Sequence, residues 1–278
     1  MLIILPPSET KRPPPEAGSP LDLDRLSFPS LTAMRERVME ALVATSRGPD
    51  ALRHLGVRPS LAGEVARNEH LRGLPTRSAV ETYAGPLYEG LDAGSWSSRA
   101  EERTARQLII VSALWGAVRP ADRIPPYRLH ICARLVGMER LEPAWRTVLP
   151  SILADAAAPH GPVLDLRSRA YQAVGRPTGL DDQTATLRIR PSPGGSAHIG
   201  DVIAKRVRGE AARHLLSSES DPEDPLDLAD LLATRWPIEV EPPSGRDRTW
   251  TITLLDGNSA GGVGSRKRHS LEGERRPE

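Results

Sequence analysis

The 278-residue chain holds a single cysteine, Cys132, so neither an intramolecular disulfide nor a cysteine-based zinc cluster is open to it, which suits a reducing compartment. Lysine is nearly as scarce: Lys11, Lys205 and Lys267 are the only three among 37 basic residues. An ammonium is a compact charge whose pKa burial can move, a role guanidinium does not copy, so the two lysines outside the C-terminal stretch are informative. The longest apolar run, Leu108 to Val118, falls short of the roughly 20 residues that span a bilayer. The opening Met-Leu-Ile-Ile-Leu stops at Pro6-Pro7 without the basic leader and cleavage site of a signal peptide, and the expectation is a cytoplasmic protein with no membrane partner. No two of the seven histidines have the spacing of helical metal ligands, so neither metal nor cofactor is expected. A net charge of +1 gives no global footprint for nucleic acid, and any such site must be a local patch.

What is present reads as alternating strands and helices. Short apolar runs at Leu2 to Leu5, Leu108 to Val111 and Val163 to Leu166 predict buried strands, and Thr184 to Arg190 alternates like a fourth. Two late strands, near Trp236 to Val240 and Trp250 to Leu255, are placed to pair across Pro242-Pro243-Ser244-Gly245. Ser30 is positioned to cap a helix to about Ser46, with Leu31, Met34, Val38, Leu42 and Val43 on one face. Short helices near Ala51 to Leu55 and Pro59 to Asn68 flank Gly56, and Ser98 with Glu101 has capping-box spacing for a helix to Leu108. Glu142 to Ala158 is helical but divided at Pro150, and Gly200 to Ser217 carries Val202, Ile203, Val207, Ala211 and Leu215 along one side. From residue 257 the periodic hydrophobicity stops and a disordered tail is expected. The pattern predicts one α/β domain over residues 1 to 256, a mixed sheet surrounded by helices.

The segment Ser112 to Leu129 (SALWGAVRPADRIPPYRL) concentrates Trp115, Arg119, Asp122, Tyr127 and Arg128 in a proline-stiffened loop. Such a loop presents arginine forks to phosphate or carboxylate at low ordering cost, with Asp122 orienting one fork. The plainer alternative pairs Arg119 with Asp122 and leaves Trp115 and Tyr127 to the core. Ser8 to Lys11 follows the first strand, where open α/β sheets tend to place ligands. Lys205 and Arg208 share a helix face, beside which Gly209 leaves room for a backbone to come close.

The order of these pieces resembles the YaaA family: PPSETK at residues 6 to 11, YAGPLYEGL at 83 to 91, SALWGAVRPAD with PPYRL at 112 to 129, LRSRAY at 166 to 171 and AKRVRG at 204 to 209. The resemblance implies a bacterial protein of the peroxide-stress response that binds DNA, limits oxidative DNA damage and restrains free iron. It also implies a positively charged cleft and a helix-hairpin-helix element. On residues, Leu55-Gly56-Val57-Arg58-Pro59-Ser60-Leu61-Ala62 matches the hairpin pattern except that Arg58 replaces its second glycine. Three acids of the family's pattern are also absent, at Pro86, His130 and Ala170.

Two functions follow as expectations. A DNA-binding protein with little sequence preference uses Gly56, Arg58, Arg119, Arg128, Lys205 and Arg208 on phosphates. An enzyme acting on a nucleobase, nucleoside or nucleotide uses Lys11, Lys205, Tyr171 or Asp122 for chemistry in a cleft shaped by Ser8, Tyr88, Tyr127 and Ser168. The discriminating geometry is whether Lys11, Arg119, Arg128, Ser168, Tyr171, Lys205 and Arg208 line one cleft.

Overall fold

The computed structural model describes residues 1–192, 199–245 and 248–256, so the expected disordered tail from residue 257 lies outside the described residues. Four consecutive apolar residues stopped by Pro6 make β1 (Leu2–Leu5), buried throughout. The other strands are β2 (Arg77–Ser78), β3 (Leu108–Ser112), β4 (Gly116–Val118), β5 (Arg123–Ile124), β6 (Val163–Asp165), β7 (Thr184–Pro191), β8 (Ile238–Glu241) and β9 (Trp250–Asp256). Seven of them form one mixed sheet in the order β4-β3-β1-β6-β7-β9-β8, with β2 and β5 as a separate antiparallel pair. The inner strands β3, β1, β6, β7 and β9 are parallel, and antiparallel β4 and β8 close the two edges. Strands β1, β3 and β6 are buried along their whole length, as parallel strands covered on both faces require.

Helices cover the sheet: α1 (Thr32–Arg47), α2 (Ala51–Leu55), α3 (Ala62–Arg67), α4 (Ala79–Thr82), α5 (Pro86–Leu91), α6 (Ser98–Gln107), α7 (Leu141–Arg146), α8 (Leu149–Ala157), α9 (Arg169–Gln172), α10 (Asp201–Ser217) and α11 (Pro225–Ala233). None is long and apolar enough to cross a membrane. Pro150 sits in the first turn of α8, where its missing amide costs nothing, and so divides the expected helix from Glu142 to Ala158.

Several local expectations are corrected. Ser30 lies inside a 3-10 turn ahead of α1 and does not cap it. The cap of α6 is Ser97, accepting from the Ala100 amide, one residue before the expected Ser98. Ser112 to Leu129 is not a single loop, because Gly116–Val118 joins the sheet as β4 and Arg123–Ile124 pairs with β2. The buried stripe of α1 includes Arg35, which donates to the carbonyls of Trp115 (2.9 Å), Ser27 (2.7 Å) and Ala117 (2.7 Å). Burial pushes its pKa down to about 10, and its three carbonyl partners brace the turn between β3 and β4. On α10, Val207, Ala211 and Leu215 face the core as expected, whereas Val202 and Ile203 are 62% and 50% exposed.

Candidate functional site

Strand order reverses at β1: β3 is added on one side of it, and β6, β7 and β9 on the other. The loops leaving β1 and β6 therefore diverge, opening a crevice outside their carboxyl ends, the usual ligand position in open α/β sheets. A cavity of about 360 Å³ occupies that crevice. Its floor and walls come from residues 6 to 10 after β1, from Pro86, Leu87 and Tyr88 of α5, and from Ser168 and Tyr171 around α9. His130 and the first turn of α10, through Asp201 and Lys205, complete the rim.

The loop after β1 is held from behind. Arg12 N–H donates to Thr82 O (2.9 Å) and Ala84 N–H to Thr10 O (3.0 Å), tying the loop to residues 82 to 84. Lys11 folds back on its own loop: Nζ donates to Ser8 O (2.8 Å) and Glu9 O (3.4 Å) and lies 4.1 Å from the Tyr127 ring centroid. Desolvation lowers its pKa to about 7, Glu9 opposing that shift and Arg128 adding to it. Lys11 thus shapes the loop without lining the cavity.

All four tyrosines of the chain gather here and are buried: Tyr83, Tyr88, Tyr127 and Tyr171. Tyr127 Oη is 2.7 Å from Ser112 Oγ and 3.0 Å from Tyr83 Oη, while Tyr88 Oη donates to Pro6 O at 2.9 Å. Tyr171, only 5% exposed, differs: the Ile131 amide faces its hydroxyl, which donates to no acceptor among the described residues. Burial raises the pKa of all four phenols, to about 12 for Tyr83, so they stand as neutral donors at physiological pH.

At the end of β6, Asp165 and Arg167 form an ion pair at 2.7 Å with both side chains fully buried. Arg167 also donates to Tyr171 O (3.2 Å), so the pair sets the course of the Ser168 turn and of α9. Beyond Ser168 the cavity adjoins an open groove of about 580 Å³ lined by Arg146, Arg167, Arg169, Arg176, Arg188 and Arg208. Asp165 neutralises Arg167, Glu142 pairs with Arg146, and Glu241 lies 3.3 Å from Arg188. Among the described residues no ion pair is formed by Arg169, Arg176 or Arg208. Desolvation lowers the pKa of Arg208, with Asp201 opposing, which leaves it a cation at neutral pH.

Helix α10 carries Lys205 to the cavity and Arg208 to the groove. The backbone that approaches Gly209 is that of α5: a Cβ on Gly209 would lie 1.9 Å from Leu87 O, and one on Gly90 2.2 Å from Arg206 O. Two facing glycines therefore let the helices cross nearly in backbone contact. Lys205 pairs with Asp201 at 2.6 Å.

The expected convergence is partial. Ser8, Tyr88, Ser168, Tyr171 and Lys205 line the cavity, and Arg208 lines the adjoining groove. Arg128 sits behind Glu9, donating to Glu9 O (3.0 Å) and pairing with Glu9 and Glu64, near Lys11 and Tyr127. Arg119 is elsewhere, because antiparallel β4 carries the chain back to the amino end of the sheet. There its guanidinium donates to Arg106 O and Leu108 O and stacks on Phe28 at 5.4 Å. Asp122 does not orient the Arg119 fork; it accepts from Arg119 N–H (2.8 Å) and from Ser27 N–H and Oγ, closing a turn. Gly56 ends α2 with φ +65, its amide donating to Arg53 O and that of Val57 to Leu52 O, and Arg58 beyond it is exposed. Nothing lies within 4 Å of a Cβ built on Gly56, so its backbone angle, not a close approach, accounts for the glycine.

Sequence reasoning missed Tyr83, Glu9 and the groove arginines Arg146, Arg169, Arg176 and Arg188. Glu9, Tyr83 and Arg169 fall inside the quoted PPSETK, YAGPLYEGL and LRSRAY motifs and were readable; Arg146, Arg176 and Arg188 come from separate elements with no shared local signal. Two of the three absent acids, at Pro86 and His130, map onto the cavity wall, where the remaining acids Glu9 and Asp201 are both paired.

The chain is thus an α/β protein with a switch-point cavity that opens beside an arginine groove. It belongs to the family of peroxide stress protein YaaA, whose model matches residues 1–237. A UPF0246 protein of Streptomyces coelicolor is 39% identical over 259 residues, covering 92% of this chain and 98% of that protein. A UPF0246 protein of Corynebacterium efficiens is 38% identical over 256 residues, covering 91% and 100%. A more distant one from Shewanella pealeana is 27% identical over 231 residues, covering 80% and 88%.

Proposed function

We propose that this protein binds DNA through the arginine groove, within the peroxide-stress response, and so limits oxidative DNA damage and free intracellular iron. The carrying observation is the trio Arg169, Arg176 and Arg208, which form no ion pair among the described residues and line one groove on a chain of net charge +1. Arginine forks suit phosphate oxygens, and a groove without a base-reading element implies little sequence preference. The α2–α3 turn at Gly56 and Arg58 serves as an auxiliary contact in this reading. Three neutralised phosphates give a salt slope of about −3, hence an affinity loss of about 40-fold between about 50 and 200 mM salt. Gel shifts on the intact chain at those concentrations test it. Arg169→Gln and Arg176→Gln weaken binding and Arg119→Gln leaves it unchanged; absence of binding at the lower salt sinks the proposal.

A second reading, an enzyme acting on a nucleobase, nucleoside or nucleotide, draws on Lys205 and Tyr171 lining one enclosure. Its mark is loss of turnover in Lys205→Arg, which keeps the charge; retained turnover in that variant discards it.

A further inference from the structure

We infer that the switch-point cavity receives one unstacked nucleotide, base inside and flanking phosphates on the arginine groove. This rests on the groove being a phosphate surface and names what that surface delivers. Five features in and around the cavity carry it.

First, the cavity and the groove are neighbours that meet at Ser168, which lines both. A ligand with a neutral ring and an adjoining phosphate matches that division; a ligand of only one kind leaves half the site unused. Second, at about 360 Å³ the cavity falls at the small end of the range for small-molecule sites, and Pro6, Pro7 and Leu87 give it flat apolar faces beside the rings of Tyr88 and Tyr171. Unstacked bases are held between such surfaces and read through hydrogen bonds.

Third, Tyr171 lines the cavity, and its buried hydroxyl, faced by the Ile131 amide, donates to no acceptor among the described residues. Leaving a buried hydroxyl unmade is unfavourable, so the native fold tolerates a cost that a ligand acceptor relieves. Fourth, the acids of the cavity are already paired, Glu9 with Arg128 and Asp201 with Lys205, which leaves no free carboxylate to repel an incoming phosphate. Fifth, Val202 and Ile203, 62% and 50% exposed, belong to the first turn of α10, between Asp201 and Lys205, which line the cavity. Exposed apolar side chains are the wedges that unstack bases in DNA-bending proteins.

The shared chemistry, one base with its phosphate, has two sources: a nucleotide within a strand, or a free mononucleotide. Anisotropy titrations of the intact chain with a paired duplex, the same duplex carrying a one-nucleotide bulge, and deoxynucleoside monophosphates as competitors separate them. The bulged duplex is expected to bind about tenfold more tightly than the paired one, because its extra base is already unstacked. Ser168 is exposed and makes no capping bond, so Ser168→Trp fills the junction without breaking a contact and brings the ratio of bulged to paired affinity to about one. Tyr171→Phe removes only the hydroxyl with the unused donor: melting temperature holds or rises, and bulge affinity falls roughly threefold to tenfold. A merely structural tyrosine shows no such loss of affinity.

If bulged and paired duplexes bind equally and neither substitution alters the ratio, the inference is overturned and the groove reading stands. If no DNA binds, the groove reading fails and the mononucleotide arm decides. Saturable binding that Ser168→Trp removes then supports a free nucleotide as occupant, and its absence overturns the inference.

Discussion

Substituting Gly209 by alanine is expected to destabilise the protein, against the helix propensity of the two residues. A Cβ on Gly209 would sit 1.9 Å from Leu87 O, 2.7 Å from Leu91 N and 2.9 Å from Leu87 C, all backbone atoms of α5. Backbone within a helix cannot rotate aside as a side chain does, so α5 and α10 must separate by about 1.5 Å to restore ordinary contact. In an exposed helix the change favours alanine by about 1 kcal/mol. Overpacking typically costs about 1–3 kcal/mol, and here it also loosens the packing of buried Val207, Ala211 and Ala212. The net expectation is a loss of roughly 2–4 kcal/mol, or a melting temperature lower by about 3–7 °C for a chain of this size. Calorimetric or circular-dichroism melts of the intact chain measure it. Gly63→Ala is the control: Gly63 is helical with nothing within 4 Å of a built Cβ, so alanine there is expected to stabilise by up to about 1 kcal/mol. Gly90→Ala repeats the collision from the other side, 2.2 Å from Arg206 O, and the double substitution costs less than the sum because both relieve at one crossing. A Gly209→Ala protein that melts with or above the parent refutes the close-crossing argument.

Two further outcomes follow from buried charge. Arg167→Leu strands the Asp165 carboxylate, whose side chain is fully buried, and is expected to cost about 3–5 kcal/mol in denaturant unfolding. Adding Asp165→Leu recovers part of that loss; no recovery in the pair would show that packing, not the orphaned charge, dominates. For Lys11 the folded pKa of about 7 lies below the unfolded value, so the unfolded chain binds more protons above pH 7. The Lys11 contribution therefore makes stability rise as pH climbs from about 7 toward 9, below the range where tyrosines titrate, and Lys11→Met flattens that rise. Unfolding curves at pH 6, 7, 8 and 9 read the slope, and identical slopes in parent and variant count against the desolvated lysine.

Much of the architecture was legible because hydrophobic period acts locally. Leu2 to Leu5 and Leu108 to Val111 bury apolar runs that declare themselves in any context, Thr184 to Arg190 shows the strand alternation, and Pro150 divides its helix by removing an amide whatever surrounds it. Short elements were harder: β4 and β5 have three and two residues, too few for a period, and exist because β3 and β2 offer partners. In the stripe ahead of and along α1, Leu31, Val38 and Leu42 are buried as expected, Met34 and Val43 are half-buried, and Met39 and Arg35 are buried unexpectedly, Arg35 because the β3–β4 turn supplies carbonyls for it.

By itself the sequence determined the class of fold, the strand-end position of Ser8 to Lys11 and the motifs that place the chain in its family. Tertiary structure decided which motif residues meet. Arg119 and Arg128 are nine positions apart, yet antiparallel β4 sends them to opposite ends of the sheet, while Arg169 and Arg208 are brought to one groove from distant elements. A three-residue strand is too short to declare itself in sequence; once β4 pairs with β3, the three-residue turn between them, too short for a parallel crossover, fixes its antiparallel direction. For the same reason Gly209 was readable as a place for close approach, but only the packing of α10 on α5 shows that the approaching backbone is the protein's own.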